Sequence, residues 1–165
     1  MLVFSPVSQD ESVTDNYTTL LTNDYIDLPA HRGQITGLKY INNRLLVHTE
    51  DTTFILQPNP QSINTDQSTI YIASANFLGT PEQELYQTDL GYGGLQEKMA
   101  QVSSKHGYVW VDANRGEIFN YTGKIDTLSR EGLMYYFKNK LPIDSTVRVG
   151  YDPFYERLLV TSKER

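Results

Sequence analysis

The sequence predicts an all-β fold built of β-propeller-like meanders, an incomplete propeller, with one short helix near residues 129–141. Three observations carry that expectation. The chain holds 12 Tyr, 6 Phe and 1 Trp against 3 Met, a balance that suits pleated, half-buried surfaces. Apolar and polar residues alternate over short runs bounded by Asn, Asp and Gly. The second strands of three successive units also lie over one another: Arg44-Leu45-Leu46-Val47-His48-Thr49 matches Arg157-Leu158-Leu159-Val160-Thr161, and Tyr108-Val109-Trp110-Val111-Asp112 fills the same slot between them.

Residues 1–30 read as an extended acidic arm. Within 8–27 there are four Asp and one Glu, no cation occurs before Arg32, and Tyr17, Leu20, Leu21, Tyr25 and Ile26 suffice to lay the arm on a neighbour but not to form a core. The module proper spans 31–165. Its first meander runs Gln34–Ile41, an Asn42-Asn43 turn, Arg44–Thr49, a turn at Glu50–Thr53, and Thr53–Gln57. Residues 58–68 have the Pro, Asn, Gln and Ser content of a loop, Thr69–Ile72 reads as a strand, and Gly79–Tyr86 as a turn with one helical turn after Pro81. Gly91-Tyr92-Gly93-Gly94 reads as a flexible breaker.

The second meander runs Lys98–Ser103, Gly107–Asp112 and Glu117–Tyr121, with turns at 105–107 and 113–116. The helix follows over Ser129–Leu141. Leu133, Phe137 and Leu141 recur every four residues, Ser129 is placed to cap the N-terminus, Glu131 falls in the first turn, Lys138 and Lys140 in the last, and Pro142 ends it. Val147–Tyr151, a turn at Asp152–Tyr155 and Glu156–Thr161 open a third meander. A propeller closes with about four blades or more of four strands, so 31–165 is expected to be part of a larger propeller or to be completed by a partner.

Charge narrows the function classes. The chain has 20 Asp and Glu against 14 Lys and Arg; residues 1–97 carry 12 carboxylates and three fixed cations, whereas 98–165 carry 8 and 11. No Lys or Arg lies between Arg44 and Lys98, which argues against a clustered basic face and hence against a nucleic-acid partner. No apolar run approaches the roughly 20 residues that cross a bilayer, so no membrane span is expected.

Chemistry is sparse. With no Cys there is no thiol nucleophile or zinc–thiolate site, and His31, His48 and His106 lack the spacing of metal ligands. His48 is expected mid-strand and His106 in a turn, exposed or locally hydrogen-bonded. Asp112 and Glu117 have the residue types that flank a sugar in glycosidases, but turn chemistry accounts for them better. No catalytic, cofactor-binding or metal-binding residue is assigned, and the chain is not expected to be an enzyme. Trp110, between Val109 and Val111, is expected in the core. The candidate interaction surface is Tyr135, Tyr151 and Tyr155, since Tyr gives large contact area at low entropic cost.

From Gly91 to Pro142 the order Gly-Tyr-Gly-Gly-Leu-Gln, a strand ending in Val-Ser, His-Gly-Tyr-Val-Trp-Val-Asp, a turn, Glu-Ile-Phe-Asn-Tyr-Thr-Gly, Leu-Ser-Arg-Glu-Gly-Leu and a helix ending Lys-Leu-Pro resembles β-propeller-like tail structural proteins of crAss-like, short-tailed phages. Residues 150–161 look like the next blade, and the resemblance covers roughly 31–165. It implies a structural component of the virion tail whose partners are other tail proteins, in a homo-oligomeric ring. It implies no catalytic residues. The alternatives are a glycan-binding or glycan-cleaving receptor module at the tail tip, with a host-surface glycan as partner, and a non-viral propeller interaction domain.

Overall fold

The computed structural model describes residues 1–5, 18–22, 24–56, 61–65, 68–72, 78, 83–85, 88–89, 91–140 and 145–164. β1 (Leu2–Val3) pairs antiparallel with β2 (Tyr25–Ile26), so the two ends of the expected arm are strand-paired with each other; residues 6–17 and 23 lie outside the described residues. The first unit is a four-stranded antiparallel sheet. β3 (Ile35–Ile41), β4 (Arg44–Thr49) and β5 (Thr53–Leu56) run in sequence order, and β8 (Gln83–Glu84) pairs with β5 at the edge. Asn42 and Asn43 both adopt positive φ, 50° and 59°, the conformation a two-residue hairpin turn requires and Asn tolerates. The turn over Glu50–Thr52 closes when Thr49 and Thr52 exchange hydrogen bonds.

β6 (Gln61–Thr65) and β7 (Ser68–Ile72) form a separate hairpin. This corrects the loop expected over 58–68: its polar residues conceal a strand, because ladder hydrogen bonds need no apolar alternation. Gln83 and Glu84 are strand rather than helical turn; Pro81 and Glu82 lie outside the described residues.

The second unit is also four-stranded: β9 (Gln101–Ser104), β10 (Gly107–Asp112), β11 (Glu117–Tyr121) and β12 (Ile125–Thr127), ordered as in the chain. Register places Tyr108 opposite Tyr121 and Trp110 opposite Phe119, so one face is aromatic, while Val109, Val111 and Ile118 occupy the other. Both faces are buried, with Trp110, Val111 and Phe119 at 0% exposure.

Leu128–Arg130 form a 3-10 turn, and α1 covers only Met134–Lys140. The helix expected from Ser129 therefore starts five residues late. Gly132 takes φ 96°, which interrupts an α-helix, and Ser129 does not cap it; it is fully buried and its Oγ accepts the Ile118 amide at 3.2 Å. Phe137 packs on the core, Leu133 is exposed, and Leu141 lies outside the described residues. The last element is an eight-by-eight hairpin, β13 (Ser145–Asp152) with β14 (Arg157–Glu164).

The units stack face to face. Leu46 and Ile55 of the first sheet join the aromatic face of the second, whose other face takes Val147, Val149, Leu158 and Val160 of the hairpin. The far face of the first sheet, Val47, Phe54 and Leu56, is covered by Leu2, Phe4, Ile26 and Leu28. Among the described residues the sheets do not close into a ring.

Candidate interaction surfaces

Polar side chains that the sequence places in strands and turns converge where the first two sheets meet. His48 is fully buried, which corrects the exposed role expected for it, and of its two hydrogen bonds one is local and one is not. Its Nδ1 lies 2.7 Å from Thr53 Oγ1 and its Nε2 lies 2.7 Å from the Tyr108 hydroxyl, sixty residues away. The Tyr108 hydroxyl also lies 2.5 Å from Gln101 Oε1. Burial pushes His48 down to about 3 and raises the Tyr108 hydroxyl, so the imidazole is neutral and the phenol protonated at ordinary pH. The ring also packs at a tilt against Trp110, with centroids 5.3 Å apart.

Gly91-Tyr92-Gly93-Gly94 is not a free breaker but a wedge held by both sheets. The Gly93 carbonyl accepts from Thr53 Oγ1 at 2.5 Å on the first sheet and from Trp110 Nε1 at 3.0 Å on the second. Its amide and that of Gly94 donate to Asp112 Oδ2 at 3.1 and 3.2 Å, while Gln96 Nε2 reaches both Asp112 Oδ1 and the Glu50 carbonyl. Asp112 is 1% exposed. Burial lifts its carboxyl to about 6, against the opposing pull of Gln96 and Arg115. Glu117, 5% exposed, accepts from Arg130 at 3.2 Å, and Tyr92 beside it is pushed up to about 12 by burial and by Glu117. Turn positions were expected for Asp112 and Glu117, and both do flank the 113–116 turn, but as buried anchors rather than surface turn formers. The signal for this was the glycine pair itself: without side chains, two successive amides can approach one carboxylate.

The surface candidates sit elsewhere. Phe154 and Tyr155 form the tip of the β13–β14 hairpin, 82% and 64% exposed, with rings 4.7 Å apart. The tip is ordered from beneath. Asp152 Oδ1 accepts the amides of Phe154 and Tyr155, its Oδ2 accepts Arg157 Nε, and the Arg157 guanidinium lies 4.5 Å from the Tyr155 ring. Lys105 pairs with Glu156, and His106 meets Tyr151 edge-on at 6.5 Å, bracing the tip against the β9–β10 turn. Tyr151 itself is half-buried on the core-facing side of β13, whereas Tyr135, 77% exposed, belongs to α1, which packs on β11 and the 3-10 turn and makes no extensive contact with the hairpin. The structure thus joins Tyr151 and Tyr155 in one element and leaves Tyr135 on another.

Among the described residues, no cluster of His, Asp and Glu could hold a metal ion, and no helix is long and apolar enough to cross a membrane. No curated protein matches the chain. The family model described as Crassvirus muzzle protein matches residues 2–165, nearly the whole sequence. That match extends through the clasped sheets, the α1 turn and the hairpin alike, and the chain accordingly belongs to the Crassvirus muzzle protein family, a structural component of the crAss-like phage virion.

Proposed function

We propose that this chain is a tail building block, with the described sheets acting as propeller-like blades and the hairpin tip and α1 as its contacts with neighbouring tail subunits, copies of itself in a ring included. The observation that carries this reading is the ordered tip: Phe154 and Tyr155 are displayed to solvent while Asp152 and Arg157 fix their geometry. An exposed aromatic pair beside an arginine, already held in place, loses little entropy on docking, and these are the residue types that dominate protein interfaces. The unpaired edge of β14 among the described residues offers strand addition alongside it. No residue in this reading performs chemistry; the function is assembly.

The test is a Phe154→Ser/Tyr155→Ser double variant. Both residues are exposed, so its unfolding free energy should stay within about 0.5 kcal/mol of the parent. Incorporation into phage particles, read by mass spectrometry of purified virions and by gold labelling of the tail, should fall sharply. Normal incorporation of the double variant, or label on the capsid, would overturn the reading.

A further inference from the structure

A second surface lies at the ends of the first two sheets. A groove of about 350 Å³ is lined by Ile55, Leu85 and Ile125 on its apolar floor, with Arg44, Lys124 and Gln83 exposed at its rim. Among the described residues that line it, positive charge prevails. Glu84, the carboxylate in its wall, is already held by Arg32, which donates to it through Nε at 2.9 Å and Nη2 at 3.0 Å. Asp126 follows Ile125 on β12 and so turns to the opposite face of that strand. Neither Arg44 nor Lys124 has an ion-pair partner among the described residues; Arg44 makes only a long hydrogen bond, 3.4 Å, to the Tyr121 hydroxyl. Arg44 is, moreover, one of just three fixed cations in the first 97 residues. Gly123 leaves the mouth open, since nothing lies within 4 Å of where its Cβ would be.

We propose that this groove receives an acidic peptide segment, residues 8–17 of a second copy of the chain. Charge complementarity carries the assignment. The segment bears Asp10, Glu11 and Asp15 and no cation. In an extended peptide Glu11, Val13 and Asp15 share one side, an apolar residue between two carboxylates, which matches an aliphatic floor between two cationic rims. An acidic sugar has the same charge but would ask for an aromatic platform, and the Tyr121 ring is buried at 1% exposure. The proposal rests on the assembly reading above and names one of its contacts.

The experiment titrates the full-length chain into a fluorescently labelled synthetic peptide of residues 6–19 and reads anisotropy. Saturable binding is expected. It should weaken at least about fivefold with Arg44→Glu, with Lys124→Glu, and with a peptide carrying Asp10→Asn, Glu11→Gln and Asp15→Asn. Arg44 and Lys124 are exposed, so both protein variants should keep the parental urea midpoint, which is measured in parallel. No binding, or binding indifferent to both cations, overturns the proposal. So does displacement of nothing by the peptide while a polyuronate oligosaccharide binds and loses affinity in the same two variants. Particle incorporation of the Arg44→Glu chain separates the readings: incorporation without peptide binding leaves the building-block role standing and removes the groove as its contact.

Discussion

His48 is the residue whose environment departs furthest from what its neighbours in the sequence imply. In the unfolded chain it would titrate near 6.5, but the folded value is about 3, because burial between the sheets penalises the imidazolium. A depressed folded value means that the full contribution is present above pH 6.5 and is lost as the pH falls toward 3. Stability should therefore drop on acidification by up to about 1.4 kcal/mol per pH unit from this one group. Urea unfolding at pH 7, 6 and 5 reads that slope, and His48→Gln should flatten it. Asp112 acts in the opposite sense. Its carboxyl is raised from 3.8 to about 6, so the folded state favours the protonated form, and this group's contribution declines as pH rises through that interval. An acid-side profile that steepens in the Asp112→Asn variant, where only the histidine remains, would bear out both signs; an unchanged slope in His48→Gln counts against the first.

At the scale of elements, legibility followed local chemistry. The Asn42-Asn43 and 113–116 turns, the alternation of β3, β4, β10 and β11, and the burial of Trp110 could all be read from residues adjacent in the chain, and the structure agrees. What escaped depended on partners far away. The wedge at 91–96 is defined by Thr53, Glu50 and Asp112, which lie 16 to 46 residues off, so it looked like a flexible run of glycines. The start of α1 escaped because Gly132 and a buried Ser129 outweigh a four-residue apolar period. β6 escaped because its residues, Ile63 excepted, are polar. The exposed pair Phe154 and Tyr155 was visible as aromatic wealth, but its rigidity was not, since that comes from Asp152 and Arg157.

The wedge makes a sharp element-level prediction. A Cβ on Gly94 would sit 2.2 Å from the Glu50 carbonyl oxygen and 2.8 Å from the Asp51 carbonyl carbon, both backbone atoms that cannot swing aside. Gly94→Ala should cost about 3 kcal/mol or more, beyond ordinary overpacking, and move the urea midpoint accordingly. Gly150→Ala, in a strand position with nothing within 4 Å, serves as the control and should change little. Equal midpoints for the two variants would contradict the wedge geometry.

For the whole molecule, the division of charge and the stacking of sheets are two views of one arrangement. The acidic excess resides in the arm and first unit, whereas the second unit, α1 and the hairpin are weakly basic. Copies meeting head to tail would place unlike halves together, a heterologous contact that closes into a ring when the rotation permits. Association of the purified chain, followed by sedimentation velocity, should therefore weaken as sodium chloride rises from 50 to about 500 mM, where the screening length falls well below 10 Å. Salt-indifferent association would point to apolar contacts alone.

The glycine wedge also governs how the molecule comes apart. Because the Gly93 carbonyl is shared between Thr53 and Trp110, and Gln96 ties the Glu50 carbonyl to Asp112, neither sheet can loosen without stripping the other of buried hydrogen-bond partners. The first two sheets are thus a single cooperative unit: their slowest-exchanging amides should open together, and cleaving the chain between them would leave no independently folded half.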